Sequence, residues 1–298
     1  MEFRQLQYVI QIAKEKNFSR AAEKLHIAQP SLSQQLSKLE KELGVLLFRR
    51  TTNSVELTHA GSVFVDKAQN ILDSIEQLKQ ELDDHAHMRK GKLVVGSLPM
   101  TGSHVLPLVL PVFAKKYPNI EVALVEDTSS RLEQLTASGQ TDLCLLSLPI
   151  DPALSWEPII EEEICLAVPP AHPLANNSTP IPLPRLAKEP FIVLKKGQGF
   201  RQITLELCEQ GGFEPNIVFE SSNIETVQSL VAAGMGIAFV PKMMTRAKWS
   251  THTPVYLPLE PAPSRTLVIA SRKGRYLSKA SEAFIDTMKL TLEENYED

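Results

Sequence analysis

Residues 18–44 read FSRAAEKLHIAQPSLSQQLSKLEKELG, and their pattern predicts the fold of the N-terminal part of the chain. The small and apolar residues of AAEKL fall on one face of a short helix, predicted over 20–25 with Ser19 as its N-cap. A longer helix follows, with Pro30 tolerated in its first turn and Gly44 at its end. Two helices joined by a tight turn predict a helix-turn-helix.

The flanking segments extend this motif into a winged helix-turn-helix, which we assign to residues 1–58. Upstream, apolar residues at 6, 9, 10 and 13 have helical spacing and predict a preceding helix. Downstream, an apolar run, the turn cluster TNS and an alternating VEL predict a two-stranded hairpin, or wing.

The longer helix carries short hydroxyl and carboxamide side chains away from its leucine stripe. Gln can bond an adenine edge with two hydrogen bonds, Ser reaches bases or phosphates, and arginines of the wing suit phosphates or a minor groove. We therefore predict DNA binding; the alternative is a helix surface that is simply polar. The predicted DNA-binding residues are Arg20, Gln29, Pro30, Ser31, Ser33, Gln34, Lys38, Arg49, Arg50, Thr51 and Thr52.

Residues 59–89 are predicted to form a long linker helix that is capped by Thr58. Its apolar positions are separated by 4, 3, 4, 3 and 4 residues, which is the heptad seam of a coiled coil. Because an unsupported helix of this kind is marginal, the seam favours a partner helix, although packing on the chain's own body is the alternative. The predicted dimerisation residues are Phe64, Ala68, Ile71, Ile75, Leu78 and Leu82.

From residue 90 onward, strands alternate with helices, which predicts βαβ units and a largely parallel sheet. We call residues 90–298 the body. Its first helix is expected to begin at about Ser103, and a second set of elements is expected to start with a strand at 164–168. We predict two α/β subdomains, subdomain I over about 91–160 and 267–298 and subdomain II over about 161–266. The predicted fold class is α/β with a helix-dominated winged head and a long linker helix.

Composition and charge agree with this division. The 298 residues have ordinary globular composition, three distant cysteines and no apolar run long enough to span a membrane. Residues 1–58 carry nine Lys and Arg against six Asp and Glu, whereas the whole chain has a net charge of −4. A basic head suits a polyanion. Because the N-terminus is too polar for a signal peptide, we expect a cytoplasmic protein that associates with the nucleoid through DNA.

The chain resembles the LysR-type transcriptional regulators over essentially its whole length. The resemblance rests on FSRAA at 18–22, QPSLS at 29–33, LFRR at 47–50, LTHAG at 57–61, GKL at 91–93 and GMGI at 234–237. It implies a dimerising linker helix, an effector domain shaped like a periplasmic binding protein, and a homotetramer built from two dimers. Two positions depart from the family pattern: Ala28 stands where Ser or Thr is common, and Gln34 where Arg is frequent.

The resemblance places a small-molecule effector in the cleft between the subdomains, where strand ends meet helix starts. Hydroxyl groups and helix N-termini favour an anionic effector such as a carboxylate. The alternative is that these residues are ordinary helix caps. The predicted effector contacts are Ser97, Thr101, Ser103, Thr128, Ser147, Gln198, Phe200 and Arg201.

Other functions have less support in the sequence. Two neighbouring histidines, His85 and His87, do not converge on a helix, so no metal is expected. The sequence contains no catalytic motif that would indicate an enzyme and no signal peptide that would indicate a transport protein. Some relatives sense peroxide with two cysteines, but this chain has Cys208 and, at the other position, Gly199. We expect a regulator that binds operator DNA, responds to an effector, forms a homo-oligomer and contacts RNA polymerase, with no cofactor besides the effector.

Overall fold

The computed structural model describes residues 1–50, 55–86, 91–246 and 253–296. Contacts between residues divide the chain into two units, residues 1–87 with 138–140 and residues 88–137 with 141–298. Within the described residues, no helix is both long enough and apolar enough to cross a membrane.

The N-terminal unit contains four helices and one hairpin among its described residues. They are α1 (Phe3–Glu15), α2 (Phe18–Lys24), α3 (Gln29–Leu43), β1 (Phe48–Arg50), β2 (Val55–Leu57) and α4 (His59–Ala86). The expected N-cap of α2 is wrong: Asn17 Oδ1 accepts hydrogen bonds from the backbone N–H groups of Ser19 and Arg20. The helix begins earlier than expected, at Phe18, because Phe18 is buried in the core and Asn17 supplies the cap.

A single core joins these elements. The leucine stripe of α3 packs against Val9 and Ile12 of α1 and against Phe48 of the wing. Gly44, with φ of 70°, ends α3 in the left-handed conformation that glycine favours. Thr58 caps α4 as expected, since its Oγ1 accepts a hydrogen bond from Gly61 N at 2.9 Å.

The second unit alternates strands and helices. Its elements are β3 (Gly91–Ser97), α5 (Pro99–Lys116), β4 (Ile120–Glu126), α6 (Ser129–Ala137), β5 (Leu143–Ser147), β6 (Leu154–Val168), β7 (Ile181–Pro182), β8 (Pro190–Leu194), α7 (Gly199–Gln210), β9 (Asn216–Ser221), α8 (Ile224–Ala232), β10 (Ala238–Pro241), β11 (Val255–Leu257), β12 (Leu259–Glu260), β13 (Ser264–Arg272) and α9 (Lys279–Tyr296). A short 3-10 helix, Lys242–Met244, follows β10.

The main sheet is mixed, which corrects the expectation of a largely parallel one. Its strand order is β10-β6-β13-β5-β3-β4, with β11 also paired to β6. Strand β3 is parallel to β4 and β5, whereas β13 runs antiparallel to both β5 and β6. Strands β6 and β13 are crossovers that carry the chain between the two subdomains in opposite directions, so they pair antiparallel.

Two hydrophobic regions lie on this framework, as the expected two-subdomain α/β fold requires. One consists of residues from 93–154 and 267–292, and the other of residues from 164–259. Two boundaries differ from expectation. Helix α5 begins at Pro99 instead of about Ser103, because proline suits the first helical turn. Strand β6 begins at Leu154 instead of Ile164, because its first half pairs with β13.

Candidate DNA-binding face and ligand cleft

The exposed side of α3 forms a polar surface. Pro30, Ser31, Gln34 and Lys38 are exposed, and we call these four side chains the reading face. Gln29 and Ser33 are half-buried, and Gln29 Nε2 donates a hydrogen bond to Ser33 Oγ at 2.9 Å. Because Ala28 has no side-chain oxygen, α3 begins without a side-chain cap, and its first N–H groups have no capping side chain.

Basic side chains flank the reading face. Arg20 on α2 and Arg49 on β1 are exposed, and Lys38 Nζ lies 3.7 Å from Glu2 Oε1 in a pair that is open to solvent. Such an exposed pair is weak, so Lys38 remains able to contact a phosphate. Arg50 ends β1, but its side chain, together with Thr51 and Thr52, lies outside the described residues.

Glu40 is a positioning residue that the sequence reasoning missed. Its Oε1 accepts hydrogen bonds from the backbone N–H of Leu47 at 2.7 Å and of Phe48 at 3.2 Å. The carboxylate therefore holds the start of the wing against α3. A glutamate in the last turn of a helix carries no pattern that would have indicated this contact.

The predicted dimerisation seam divides into two parts. Phe64 packs on the core of the head and Ala68 is 2% exposed, so both contact their own chain. Further along α4, the exposed fractions are 43% for Ile71, 56% for Leu78 and 60% for Leu82. Ile75 is half-buried. The second part of the seam is an apolar stripe that a partner helix could cover.

The predicted ligand cleft corresponds to the edge where β3, β4 and β5 end and where α5 and α6 begin, and we keep the name ligand cleft for this edge. Pairing aligns Ser97 with Glu126 on one side and with Leu145 on the other. The loop before α7 faces this edge. A β-carbon added to Gly197 would lie 3.9 Å from Thr128 Cγ2, and one added to Gly199 would lie 2.8 Å from Ser129 Oγ. The two subdomains therefore meet closely at these glycines.

Two buried hydroxyl groups near this edge lack hydrogen-bond partners among the described residues. Among the described residues, Thr101 Oγ1 and Ser147 Oγ are buried side-chain atoms without a hydrogen bond. Thr101 is fully buried in the first turn of α5, and Ser147 ends β5. Ser97 is also fully buried, and its Oγ donates only to the adjacent Leu98 carbonyl at 3.2 Å. A buried hydroxyl without a hydrogen-bond partner costs about 1–3 kcal/mol of stability.

The other predicted effector contacts have different surroundings. Ser103 Oγ donates to Met100 O, and Thr128 N donates to Asp127 Oδ1. Gln198 precedes α7 without capping it through its side chain. Phe200 is 3% exposed and belongs to the second core.

Arg201 is engaged by its own subdomain. Its Nη1 donates to Glu220 Oε1 and to Leu194 O, both at 2.6 Å. Because this pairing occupies the guanidinium, the structure does not bring Arg201 together with the cleft hydroxyls.

A buried ion pair joins the crossover strands beside the cleft. Arg265 on β13 and Glu162 on β6 have side chains that are 1% and 4% exposed, and Arg265 Nη2 lies 2.6 Å from Glu162 Oε2. Burial lowers the pKa of Arg265, and the Glu162 charge opposes that effect. The guanidinium also lies 5.4 Å from the centroid of the Phe200 ring. Sequence reasoning missed this pair because the two residues are 103 positions apart.

A concavity lies beside α7. It has a volume of about 550 Å³, within the range of small-molecule sites, and is lined by residues of α7, the segment after β5 and the start of β13. Ile203, Glu206 and Gln210 form its α7 wall.

The three cysteine thiols lie in surroundings that disfavour the reactive thiolate form. Cys144 and Cys208 are buried, and burial raises the pKa of each thiol to about 12. Burial also raises the pKa of Cys165. Within the described residues, no group of three His, Cys, Asp or Glu side chains could hold a metal ion. The side chains of His85 and His87 lie outside the described residues.

Comparison with known proteins gives two family matches. Residues 3–62 match the bacterial regulatory helix-turn-helix protein of the lysR family, and residues 86–292 match the LysR substrate binding domain. The uncharacterized HTH-type transcriptional regulator YcgK of Bacillus subtilis is 40% identical, covering 100% of this chain and 97% of the relative. The DNA-binding transcriptional dual regulator OxyR of Escherichia coli is 31% identical, covering 100% and 98%.

Solved structures agree with these matches. A full-length OxyR variant from Pseudomonas aeruginosa superposes with a TM-score of 0.79 at 28% identity, covering 97% of this chain and 95% of that one. Full-length BenM superposes with a TM-score of 0.63 at 26% identity, covering 99% and 98%. Together with the winged head and the two-subdomain body, these matches show that the chain belongs to the LysR family of bacterial DNA-binding transcriptional regulators with an effector-binding domain.

Proposed function

We propose that this regulator binds operator DNA through the reading face and the wing, and that a small anionic metabolite in the ligand cleft modulates this binding. The observation that carries the effector proposal is the pair of buried hydroxyls without partners, Thr101 and Ser147. Thr101 lies in the first turn of α5, where N–H groups and the helix dipole favour a carboxylate, and Ser147 ends strand β5. We further propose that Ser97 and Thr128 line the same site.

On DNA, α3 would enter the major groove and Arg49 would contact the phosphates or the minor groove. Within a dimer, two such helices would reach half-sites about one helical turn apart. Gln34 has a carboxamide suited to an adenine edge, whereas Lys38 and Arg49 supply charge. The two kinds of residue therefore predict different binding defects.

Equilibrium binding to an operator duplex at several salt concentrations tests this assignment. Lys38→Ala and Arg49→Ala should each weaken binding to all sequences and lower the salt slope by about one. Gln34→Ala should leave the slope unchanged and relax base preference. An unchanged base preference for the Gln34 variant would exclude it from direct base recognition.

We propose that the apolar stripe of α4 pairs two chains and that two dimers form a tetramer. The exposed fractions of Ile71, Leu78 and Leu82 support the first step, and the family resemblance supports the second. Contact with RNA polymerase and action on chromosomal DNA are part of the same proposal. Because its relatives are transcriptional regulators, we propose that the body binds its ligand without converting it.

Thermal unfolding with a panel of carboxylates tests the effector site. We expect Thr101→Val to abolish the upward shift in Tm that a bound carboxylate causes. The same variant should unfold at a higher temperature than wild type when no carboxylate is added, because it removes a buried unpaired hydroxyl. A purely structural role for Thr101 predicts the opposite change.

The matched variant is Gln210→Trp. Gln210 is exposed and lines the cavity beside α7, so the larger tryptophan side chain should fill part of that cavity. Loss of the response in this variant, with the response retained in Thr101→Val, would place the effector beside α7 and overturn the cleft assignment. Measuring operator affinity with the same ligands then shows whether binding is coupled to DNA recognition.

Redox sensing is a second candidate, because several relatives are hydrogen peroxide-inducible genes activators. Against it, this chain has glycine at 199, and Cys208 is a buried thiol with a raised pKa. A thiolate is the reactive form of cysteine, so such a thiol is a poor peroxide sensor.

A further inference from the structure

Met100 lies on α5 in the first subdomain, but its side chain packs against the core of the second. Its neighbours Leu98 and Val105 belong to the cores of the first subdomain. Among the described residues, Met100 is the only apolar side chain from outside 164–259 that packs against the second core. The thioether of Met100 therefore spans the ligand cleft.

The position of Met100 is held by its own helix turn. Its carbonyl oxygen accepts a hydrogen bond from Ser103 Oγ at 2.9 Å and lies 3.2 Å from His104 Nδ1. The next residue is Thr101, whose hydroxyl is buried without a partner. A buried hydroxyl without a partner and an apolar side chain are thus adjacent in sequence at the start of α5.

We propose that Met100 is a specificity-determining residue, and that the effector is a carboxylate with an apolar tail. The carboxylate would bind the hydroxyls of Thr101 and Ser147, and the tail would displace the Met100 side chain from the second core. This inference rests on the proposed function, since it assumes an anionic effector in the cleft. Methionine suits such a role because its unbranched, flexible chain fills irregular apolar space and moves at little cost.

The volume of the side chain at position 100 should therefore limit the length of the apolar tail that the cleft accepts. In Met100→Ala, space against the second core is open without displacement of a thioether. Longer tails should gain affinity relative to short ones, whereas Met100→Leu should keep the wild-type preference. One methylene in an apolar pocket changes discrimination by about 10-fold or more, so the shift is measurable.

The experiment uses the full-length protein and straight-chain carboxylates from acetate to octanoate, with succinate as a polar-tailed comparison. Dissociation constants are obtained for wild type, Met100→Ala, Met100→Leu and Thr101→Val. Met235→Ala is the matched control, since Met235 is 44% exposed and does not belong to the cleft. We expect the ratio of acetate to octanoate dissociation constants to rise at least about tenfold in Met100→Ala alone.

A second measurement does not depend on the variants' affinities. In protein labelled with 13C at its methionine methyl groups, Met100→Ala identifies the Met100 signal among the seven methionines. We expect this signal to move when the preferred carboxylate binds to wild type, while the Met235 signal stays unchanged.

The outcomes separate the two proposals. If Thr101→Val abolishes binding but tail preference is the same in wild type and Met100→Ala, the effector cleft stands and the role of Met100 is overturned. If binding survives in Thr101→Val, or no carboxylate in the series binds to wild type, the carboxylate cleft and the role of Met100 fall together. Preference for succinate over the apolar series would also refute the apolar tail.

Discussion

At the residue scale, Gly61 determines whether the wing can rest on α4. A β-carbon at this position would lie 2.0 Å from the backbone carbonyl oxygen of Leu47. The same carbonyl accepts the N–H of Thr58, so it cannot move without loss of the helix start. Glycine is required here for close approach of two backbones, and its φ is not unusual.

Gly61→Ala should therefore destabilise the protein by about 1–3 kcal/mol or more, as overpacking does. Gly91→Ala is the matched control, because no heavy atom lies within 4 Å of its added β-carbon. Thermal unfolding followed by circular dichroism measures both. Equal Tm values for the two variants would contradict this expectation and show that the Leu47 carbonyl moves aside at little cost.

The buried cysteines give a pH-dependent prediction at the same scale. Burial raises the pKa of Cys144 and Cys208 from 9.0 to about 12, so the folded state holds these protons more tightly than the unfolded state. Their contribution to stability is complete below pH 9 and is lost as pH rises from there toward 12.

We also expect no reaction of Cys208 with iodoacetamide at about pH 8 in the folded protein.

Mass spectrometry of alkylated protein, with and without denaturant, checks this expectation. Modification of Cys208 at native conditions, at a rate near that of a free thiol, would contradict it and would reopen the redox interpretation.

At the element scale, α4 carries two surfaces with different roles along one helix. Its first part, with Phe64 and Ala68, packs on the head, and its second part leaves Ile71, Leu78 and Leu82 exposed. The spacing of about 3.5 residues between these apolar positions suits a partner helix of the same kind.

Leu78→Asp should dissociate the assembly, because a charge in an apolar seam lacks a partner. Analytical ultracentrifugation at several protein concentrations measures the result. Gln69→Glu adds a charge away from the seam and should leave the mass unchanged. Retention of the wild-type mass in Leu78→Asp would show that another surface forms the dimer.

At the scale of the whole molecule, the two subdomains of the body are joined through a buried charge pair on their crossover strands. Glu162 binds Arg265 and also accepts the backbone N–H of Met243 at 2.9 Å. Met243 packs against both cores. The junction between the subdomains is therefore polar, buried and hydrogen-bonded at its centre.

Arg265→Ala leaves the Glu162 carboxylate buried without its cation and should cost about 3–5 kcal/mol. The matched control is Lys242→Ala, which breaks the solvent-exposed pair with Glu163 and should cost less than about 1 kcal/mol. Urea unfolding of both variants provides the comparison. Similar losses would show that the buried pair contributes no more than a surface one.

Much of this protein was determined by the sequence alone. Helical spacing and end residues such as Gly44 and Thr58 predicted the head, the linker and most α/β elements, because those signals act within a few residues. Strand ends followed by helix starts indicated the hydroxyl residues, and the family resemblance implied a cleft between the subdomains. One boundary was wrong because distant residues decide it: β6 starts at Leu154, where it pairs with β13.

The tertiary structure decided which side chains are available. Arg201 and Gln198 were both predicted as effector contacts from the sequence. In the structure, Arg201 is paired with Glu220, whereas Gln198 makes no side-chain cap at the start of α7. Met100, Glu40 and the Glu162–Arg265 pair became visible only in three dimensions. The Glu162–Arg265 pair joins residues 103 positions apart, Met100 packs across the cleft, and Glu40 binds the backbone that follows its helix. Such contacts leave no local periodicity to read.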